Sequence, residues 1–533
     1  MLDALKALFV VSVLALAAFV YARLAFGDIV APATIRRWRN TFLAVTAVAF
    51  LVPNYWLMLA ALAVTVAVFG AAEKFKPALY LLLIFAVPAA SKIVPGFGGI
   101  NNFLEIYPFN LLALVILVPL MARASEVKGG RGGALAEAAF IGYALVVLAL
   151  AFRDTTATDG IRRTTAFLLT AIPQYFVFSR VRWTIERLRL ATAALVIPLI
   201  ALSAVAAAEV VLSWHLYNIA VDNWGIDTLL RYVERSGFLR AYGSIFGPIA
   251  FGLFLAVGLA LAPALAAGAT KKRFAYLSVP ALAIGLLATF SRGPWVGGAV
   301  AIGTYVATTR RSLGNLARLA AAGIAGLLVL AITPFGSSVL EMLPFIGDIE
   351  DNTIDYRQRL FDVGWGVVMQ TPLFGSEDYL ESAAMQSLVQ GQGIIDIVNA
   401  YLRIALDSGL VGLSLYLGAV IFSLFAAWRS IAPARRISSE LAAYCQSYLA
   451  ALLGLSFVLA TTSNAIAQIQ EVTWVLCGIC VGLARSVSIE QRAQSENPAP
   501  AVVEAGAATL PGPPDDPAPG RRLPAHLRQY ERR

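Results

Sequence analysis

The chain has 533 residues, of which 59% are hydrophobic and 14% are charged, and its formal net charge is +9. Soluble domains contain about 45–50% apolar and about 25% charged residues, so this composition excludes a soluble globular protein and predicts an integral membrane protein. The positive charge does not indicate nucleic-acid binding, because the basic residues cluster in short breaks between apolar runs, as the positive-inside rule requires.

Apolar runs near the ~20 residues needed to cross a bilayer recur from Leu5 to Leu483. They predict an all-α membrane protein with about fourteen or fifteen transmembrane helices. The first run is longer than a signal-peptide core and is expected to remain as an anchor. Pro53 and Asn54 mark a break. The predicted spans are 5–23, 41–51, 55–71, 77–94, 108–121, 133–151, 164–178, 190–214, 244–266, 274–290, 295–308, 316–332, 401–428, 441–460 and 465–483.

Cysteine and histidine usage gives no sign of a metal site or a redox centre. Cys477 and Cys480 have CxxC spacing, but they stand in a transmembrane pattern and are interpreted as packing residues. The only histidines are His215 and His526. We therefore expect neither a metal nor a cofactor. Glu209 is an acidic residue inside an apolar run. It either has a functional role or contacts polar groups at the membrane interface.

The topology divides the chain into a transmembrane domain, 1–487, and a Pro-rich tail, 488–533, expected to be disordered in the cytoplasm. The side opposite the Lys/Arg-rich breaks carries loops at about 215–243 and 335–399 and a tight turn at 291–293. In a bacterial inner membrane that side is the periplasm.

The long loop predicts two short helices. Asn352 begins a cap-like sequence before an amphipathic helix over 356–370, with its apolar face inward at the membrane surface. Ser376 is expected to cap a second helix ending near Leu388. The loop is acidic apart from Arg357 and Arg359. These arginines suit an anionic ligand, or alternatively they pair with Asp355 and Asp362.

The two remaining loops also present arginines on the outer side. In the turn around Arg292, Gly293 is expected to permit a tight reversal and Pro294 to begin the next helix. Such a turn would hold Arg292 at the membrane face, where a lipid-linked phosphate lies; the alternative is an interfacial anchor beside Trp295. The other loop supplies Arg235 and Arg240. The positive-inside rule disfavours arginines on the outer side. Several arginines that converge at that face therefore suit a polyanionic lipid headgroup.

Several of these motifs occur in an order that resembles a known family. They are Ser291-Arg292-Gly293, Arg357-Gln-Arg359-Leu360, Trp365 to Gly375, and Asn399-Ala-Tyr401-Leu402 followed by Gly409 to Leu413. This pattern resembles the O-antigen ligase/polymerase superfamily of bacterial inner-membrane glycosyltransferases. The segment from Gly237 to Ile249 resembles a branch found with exopolysaccharide synthesis.

The resemblance implies a GT-C-like fold that acts on polyprenyl-diphosphate-linked glycans without nucleotide sugar or metal. An acceptor hydroxyl would attack the anomeric carbon of the donor, and polyprenyl diphosphate would leave. Arg292, with Arg357 or Arg359, would hold the diphosphate and stabilise its growing charge, with Arg240 assisting.

One position departs from the family pattern. Ligases of this superfamily have a histidine before the Asn, where this chain has Val398. The residues assigned to the catalytic region are Asp396, Asn399 and Tyr401, with Asp396 as a candidate base and Asp355 and Glu377 as alternatives. The missing histidine favours repeat-unit polymerisation over ligation.

The resulting hypothesis is a multi-pass inner-membrane polymerase with a cytoplasmic C-terminus. Its partners would be a polyprenyl-diphosphate-linked donor, a glycan acceptor and the bilayer, together with a chain-length regulator and a flippase, and no nucleic acid. The alternatives are transfer of glycan to a lipid or protein, a flippase for lipid-linked glycans, and a non-catalytic assembly partner. A flippase would need charges midway through several spans, which this chain has few of.

Overall fold

The protein is described from a computed structural model. The structure describes residues 2–96, 102–122, 132–226, 234–235, 237–310, 312–332, 351–390, 393–463 and 468–496. Residues 1–491 form one compact unit; of the second unit, 492–533, only 492–496 are described, and these are helical. The predicted disorder of the tail beyond Glu496 and the loop acids Glu341, Asp348 and Glu350 lie outside the described residues.

The first half of the chain is a series of apolar helices with one small antiparallel hairpin. The hairpin pairs Lys92 with Ile106. The elements are α1 (Leu2–Phe26), α2 (Pro32–Leu51), α3 (Tyr55–Gly70), α4 (Lys76–Leu83), β1 (Lys92–Pro95), β2 (Asn102–Ile106), α5 (Pro108–Leu112), a π-helical turn (Ala113–Leu117), α6 (Val118–Met121), α7 (Ala134–Leu150), α8 (Ala157–Thr170), α9 (Ile172–Arg180) and α10 (Ile185–Leu212).

The second half continues in the same way, with one further two-stranded hairpin. Its elements are α11 (Asn218–Asn223), β3 (Glu234–Arg235), β4 (Phe238–Leu239), a 3₁₀ turn (Gly243–Ile245), α12 (Pro248–Gly268), α13 (Lys272–Ala275), α14 (Ser278–Ala288), α15 (Arg292–Ala307), α16 (Ser312–Ile332), α17 (Asp351–Val368), a 3₁₀ turn (Tyr379–Glu381), α18 (Ala383–Gln386), α19 (Ala400–Ile437), α20 (Ser439–Leu459) and α21 (Ile469–Glu496).

The prediction of an all-α membrane protein is confirmed. Six described helices are long and apolar enough to cross a bilayer: α1, α10, α12, α19, α20 and α21. Of these, α12 and α21 are the most enclosed by protein, so they form the centre of the bundle, and α1 and α19 have more exposed apolar surface. The total of fourteen or fifteen spans and the boundary at 487/488 stay predictions.

Two ends of the bundle can be told apart from their contacts. Near the N-termini of α10 and α20, Arg189 donates to Glu440 at 2.7 Å. At the other end of the same helices, Glu209 accepts backbone N–H groups, and Ser456 accepts the hydroxyl of Tyr401 at 2.6 Å. The outer loops named from the sequence join helices at this second end, the loop end.

Some predicted boundaries differ from the observed ones. The span at 164–178 is divided between α8 and α9, because Pro173 cannot donate a backbone hydrogen bond inside a continuous helix. The break at Pro53 and Asn54 separates α2 from α3. The Asn54 side chain caps α3 by accepting the N–H groups of Trp56 and Leu57.

The long loop contains one substantial helix, as predicted, but its second helix differs. α17 starts at Asp351, so Asn352 lies inside it and does not precede it. The expected helix from Ser376 is replaced by a 3₁₀ turn and the four-residue α18. Its cap is Ser382, whose hydroxyl accepts the N–H of Met385 at 3.3 Å.

Candidate functional site

The loop before α12 packs against the turn that precedes α15. The Arg240 side chain donates to the Thr289 carbonyl at 3.3 Å and to the Ser291 hydroxyl at 2.9 Å. Arg235 reaches the Phe290 carbonyl at 3.4 Å, and Phe238 stacks on Phe290 at 5.4 Å. Arg292 is the first residue of α15. Three of the outer arginines therefore meet at one place, which we call the cationic turn: Arg235, Arg240 and Arg292.

The reversal at this turn depends on a different residue from the one predicted. Phe290 adopts a left-handed φ of 45°, whereas Gly293 lies within α15 and has no positive φ. A Cβ on Gly293 would meet the Thr461 hydroxyl at 2.5 Å, so this glycine admits the end of α20. Pro294 is the third residue of the helix, not the first.

Side-chain hydrogen bonds hold the backbone of the cationic turn in place. The Trp295 indole donates to the Leu286 carbonyl at 2.9 Å, and its side chain is buried. Trp295 therefore fixes the turn from inside the protein, which differs from the interfacial anchor considered as the alternative. The Ser291 hydroxyl also donates to the Thr289 carbonyl at 3.0 Å.

Positive charge is concentrated on a partly desolvated guanidinium in this turn. Burial, together with the neighbouring charge of Arg235, lowers the pKa of Arg240 to about 10. The side chain is still a cation at neutral pH. Because both causes disfavour the charged form, an anion bound here would relieve an unfavourable interaction.

Glu209 and His215 form a buried support for the loop that carries Arg240. The Glu209 carboxylate accepts three backbone N–H groups, from Leu216, Tyr242 and Gly243, each at 3.1 Å. The His215 ring stacks on Tyr242 at 3.8 Å and lies 3.6 Å from Glu209. The interfacial role considered for Glu209 is therefore the one observed, and His215 is too enclosed to replace the missing histidine.

The predicted arginines of the long loop lie on a separate element. α17 packs its apolar residues Leu360 and Val367 against buried residues of α19 and the long loop, while Arg357 and Arg359 are exposed; its place at the membrane surface stays a prediction. Desolvation lowers the pKa of Arg357, and the charge of Asp396 opposes this. Within the described part of the chain, Arg357 has Asp396 as its charged neighbour, and Arg359 forms no ion pair or hydrogen bond.

The three residues assigned to the catalytic region have different surroundings. Asn399 caps α19: its side-chain oxygen accepts the N–H groups of Tyr401 and Leu402 at 3.0 and 3.1 Å. The Tyr401 hydroxyl donates to Ser456. Asp396 is exposed, and desolvation raises its pKa, with Arg357 and Arg403 opposing the shift. Of these three residues, Asp396 alone has a carboxylate that could accept a proton. Its catalytic role stays a prediction.

α19 is interrupted at Gly409, where a segment of the long loop enters. Gly409 has φ 66° and ψ −170°, outside the helical region. The N–H of Leu410 donates to the Pro372 carbonyl at 2.7 Å, and that of Ser376 donates to the Leu406 carbonyl at 3.0 Å. The backbone groups released by the break are therefore paired with the loop, as membrane-embedded backbone requires.

Arg153, just after α7, clamps the inserted segment. Its guanidinium donates to the carbonyls of Phe374 and Gly375 at 2.6 and 3.1 Å, and to that of Asp407 at 3.1 Å. The sequence interpretation missed this arginine. It belongs, with Arg163, to the break between two predicted spans on the outer side. Basic residues there run against the positive-inside bias, which is the signal that identified the other outer arginines.

A cavity of about 620 Å³ opens beside this clamp. Its walls come from the end of β2 and the start of α5, from α7, α8 and α19, and from the start of α21 and the segment around Tyr379. Arg153, Arg163, Arg403 and Asp407 line it, and so does Glu377, one of the alternative bases. We call it the polar cavity. Neither Cys477 nor Cys480 contributes to the cavity, since both are buried free thiols in the core.

The fold and these loops define a multi-pass, all-α membrane protein with arginine-bearing loops at one end. Residues 277–417 match the family model described as O-Antigen ligase. The resemblance to the O-antigen ligase/polymerase superfamily is confirmed over this segment, which contains Arg292 of the cationic turn, α17, the inserted segment and the break in α19. No curated protein matched the chain significantly. The match supports a glycosyl-transferring function of the ligase/polymerase type, with lipid-linked glycan substrates in a membrane environment.

Proposed function

We propose that this protein is a glycosyltransferase that polymerises polyprenyl-diphosphate-linked oligosaccharide repeat units on the periplasmic face of a bacterial inner membrane. The observation that carries the proposal is the hydrogen bond from Arg240 to Ser291, which brings Arg240 beside Arg292 at the loop end of the bundle. A diphosphate would bind at this cationic turn through charge-assisted hydrogen bonds.

The chemistry follows from where negative charge develops. When an acceptor hydroxyl attacks the anomeric carbon, the bond from that carbon to the diphosphate oxygen breaks, and the leaving group gains charge. Arginines fixed before the reaction stabilise this charge without reorganisation. Arg240 is held in place by its hydrogen bond to the Thr289 carbonyl, and Glu209 holds the loop that carries Arg240.

Asp396 is the proposed acceptor of the hydroxyl proton. Its exposed carboxylate distinguishes it from Asn399 and Tyr401, whose polar atoms cap a helix and bond the Ser456 carbonyl. Those two residues are proposed to position α19. Arg357, beside Asp396, would place the donor or orient this carboxylate.

Val398 stands where ligases of the superfamily have a histidine, and this favours polymerisation over ligation. Val398 packs against the buried apolar residues that α17 and α19 share. The same proposal includes a periplasmic position for the site, an exopolysaccharide product, and a reaction that needs neither metal nor cofactor. It also includes a flippase and a chain-length regulator as partners. The C-terminal tail would then lie in the cytoplasm.

The experiment is deletion of the gene, followed by complementation with wild type or Arg292→Ala at matched membrane levels. Single lipid-linked repeat units should accumulate outside the membrane in the deletion strain and in the variant, with loss of long polymer. Normal polymer in the Arg292→Ala strain would contradict the diphosphate site. Long polymer that stays on its lipid carrier would instead indicate a ligase, and repeat units trapped on the cytoplasmic side would indicate a flippase.

A further inference from the structure

None of the described residues that line the polar cavity belongs to the cationic turn. Tyr401 bonds Ser456 of α20, and the end of α20 meets Gly293 next to Arg292. Arg403, two residues after Tyr401, lines the cavity. Ile404, Asp407 and Ser408 of α19 line the cavity as well. α19 therefore forms part of the cavity wall and, through Tyr401, contacts the helix whose end meets the cationic turn.

The charges of the polar cavity do not suit a diphosphate. Its walls hold three arginines and four acidic side chains, so there is no excess positive charge. Arg163 pairs with Glu377 at 2.5 Å, and Arg403 lies 3.7 Å from Asp407. The Arg153 guanidinium is engaged by backbone carbonyls. A polyanion would meet carboxylates here, and it would have to separate existing ion pairs.

Hydrogen-bond acceptors in the cavity are available for hydroxyl groups. The Asp407 side chain is 48% exposed although it belongs to a membrane helix, because it borders the cavity. Gln468 is 1% exposed, and its side-chain oxygen has no hydrogen-bond partner among the described residues. A buried acceptor without a donor is unfavourable, so a ligand hydroxyl would stabilise it.

Aromatic rings supply the rest of the surface. Tyr107, Tyr143, Phe167 and Tyr379 line the cavity together with the polar groups. Tyrosine offers an apolar face and a hydroxyl, which suits a ligand with C–H faces and many hydroxyls. The volume of about 620 Å³ falls within the range of about 300–1,000 Å³ that small-molecule pockets occupy.

We propose that the polar cavity is the binding site for the acceptor glycan, an oligosaccharide without excess negative charge, whose hydroxyls donate hydrogen bonds to Asp407 and Gln468. This inference rests on the proposed function and adds a second subsite, separate from the cationic turn. The donor would enter by its diphosphate on the α20 side of α19, and the acceptor would enter on the α7 and α8 side.

The test is binding of a free oligosaccharide to the full-length protein in nanodiscs, measured by isothermal titration calorimetry. The probe is the repeat-unit oligosaccharide released by mild acid from lipid-linked precursors of the deletion strain. Asp407→Asn should weaken its binding at least about tenfold, as expected for loss of a hydrogen bond to a charged group. Tyr107→Phe, on another wall, should weaken it severalfold. Asp362→Asn, an exposed carboxylate outside the cavity, is the matched control.

The competing outcomes are distinct. Undiminished binding in Asp407→Asn and Tyr107→Phe, or no binding to wild type, would overturn the acceptor site. Arg292→Ala should keep oligosaccharide affinity, and inorganic pyrophosphate should not displace the probe; displacement would place the sugar at the cationic turn and overturn the inference. Failure of the proposed function shows differently, because the deletion strain would then accumulate long polymer on its lipid carrier, or repeat units on the cytoplasmic side of the membrane.

Discussion

Gly375 of the long loop packs backbone to backbone against Gly409, at the break in α19. A Cβ on Gly375 would lie 2.9 Å from the Gly409 nitrogen and would overlap the Leu406 carbonyl; a Cβ on Gly409 would overlap Leu373. Both residues also have positive φ, 69° and 66°. Each glycine is therefore required by the backbone of the segment that contains the other.

This contact predicts the effect of a single methyl group. Gly409→Ala should destabilise the protein by several kcal/mol and abolish polymer formation, because it adds a steric clash to an unfavourable φ. Thermal unfolding in detergent, together with polymer yield, measures both effects. Gly366→Ala is the control, since Gly366 lies in α17 with open space around it and should be neutral or slightly stabilising. Equal behaviour of the two variants would remove the argument for close packing.

The cationic turn predicts a loss of transfer without a loss of fold. Arg292→Ala and Arg240→Gln should each reduce the transfer rate about 10- to 100-fold, the cost of a lost charge-assisted hydrogen bond. The measurement is polymer formation in membranes with matched protein levels. Arg162→Ala is the control, because Arg162 pairs locally with Asp159 on α8, away from the turn. Equal losses in all three variants would point to a general charge effect.

The raised pKa of Asp396 predicts the pH dependence of transfer. A base must be deprotonated, so the rate should rise with pH through the pKa of this carboxyl. Because desolvation raises that pKa, the acid limb should lie above the usual value of about 3.9. Asp396→Asn should lower the rate and remove the limb. A limb that persists in the variant would assign the proton to another group, with Glu377 and Asp355 as the next to test.

Glu209 should behave as a structural residue. Glu209→Ala would leave three buried N–H groups unpaired and should lower the free energy of unfolding by several kcal/mol. Glu381→Ala, an exposed acid of the long loop, should have little effect on unfolding. If Glu209→Ala kept wild-type stability and lost only transfer, the carboxylate would instead belong to the chemistry.

α17 should rest on the membrane through the side that faces away from the protein. Phe361, Trp365 and Met369 recur at four-residue intervals and are exposed. A spin label at Met369→Cys should be more accessible to oxygen than to a water-soluble nickel reagent. A label at Gly366→Cys, on the polar side of the same helix, should show the reverse. Equal water exposure at both positions would place this helix away from the bilayer.

Much of the local structure follows from the sequence. The apolar runs predict the helices because a segment that crosses a bilayer must satisfy its own backbone hydrogen bonds. The inward residues of α17 follow from helical periodicity. The presentation of Arg292 follows from short-range chemistry, but the left-handed residue of that turn is Phe290 and not Gly293.

The sequence alone determined a multi-pass α-helical protein with arginines at one membrane face, since hydropathy, charge asymmetry and turn chemistry are encoded within a few residues of each feature. Only the tertiary structure decided which of those arginines meet. It put Arg240 with Arg292, placed Arg357 beside Asp396, and turned Glu209 into a loop anchor. The contacts of Arg153 beside the polar cavity also required it, because this arginine and its carbonyl partners lie more than two hundred residues apart in the sequence and no local pattern records their packing.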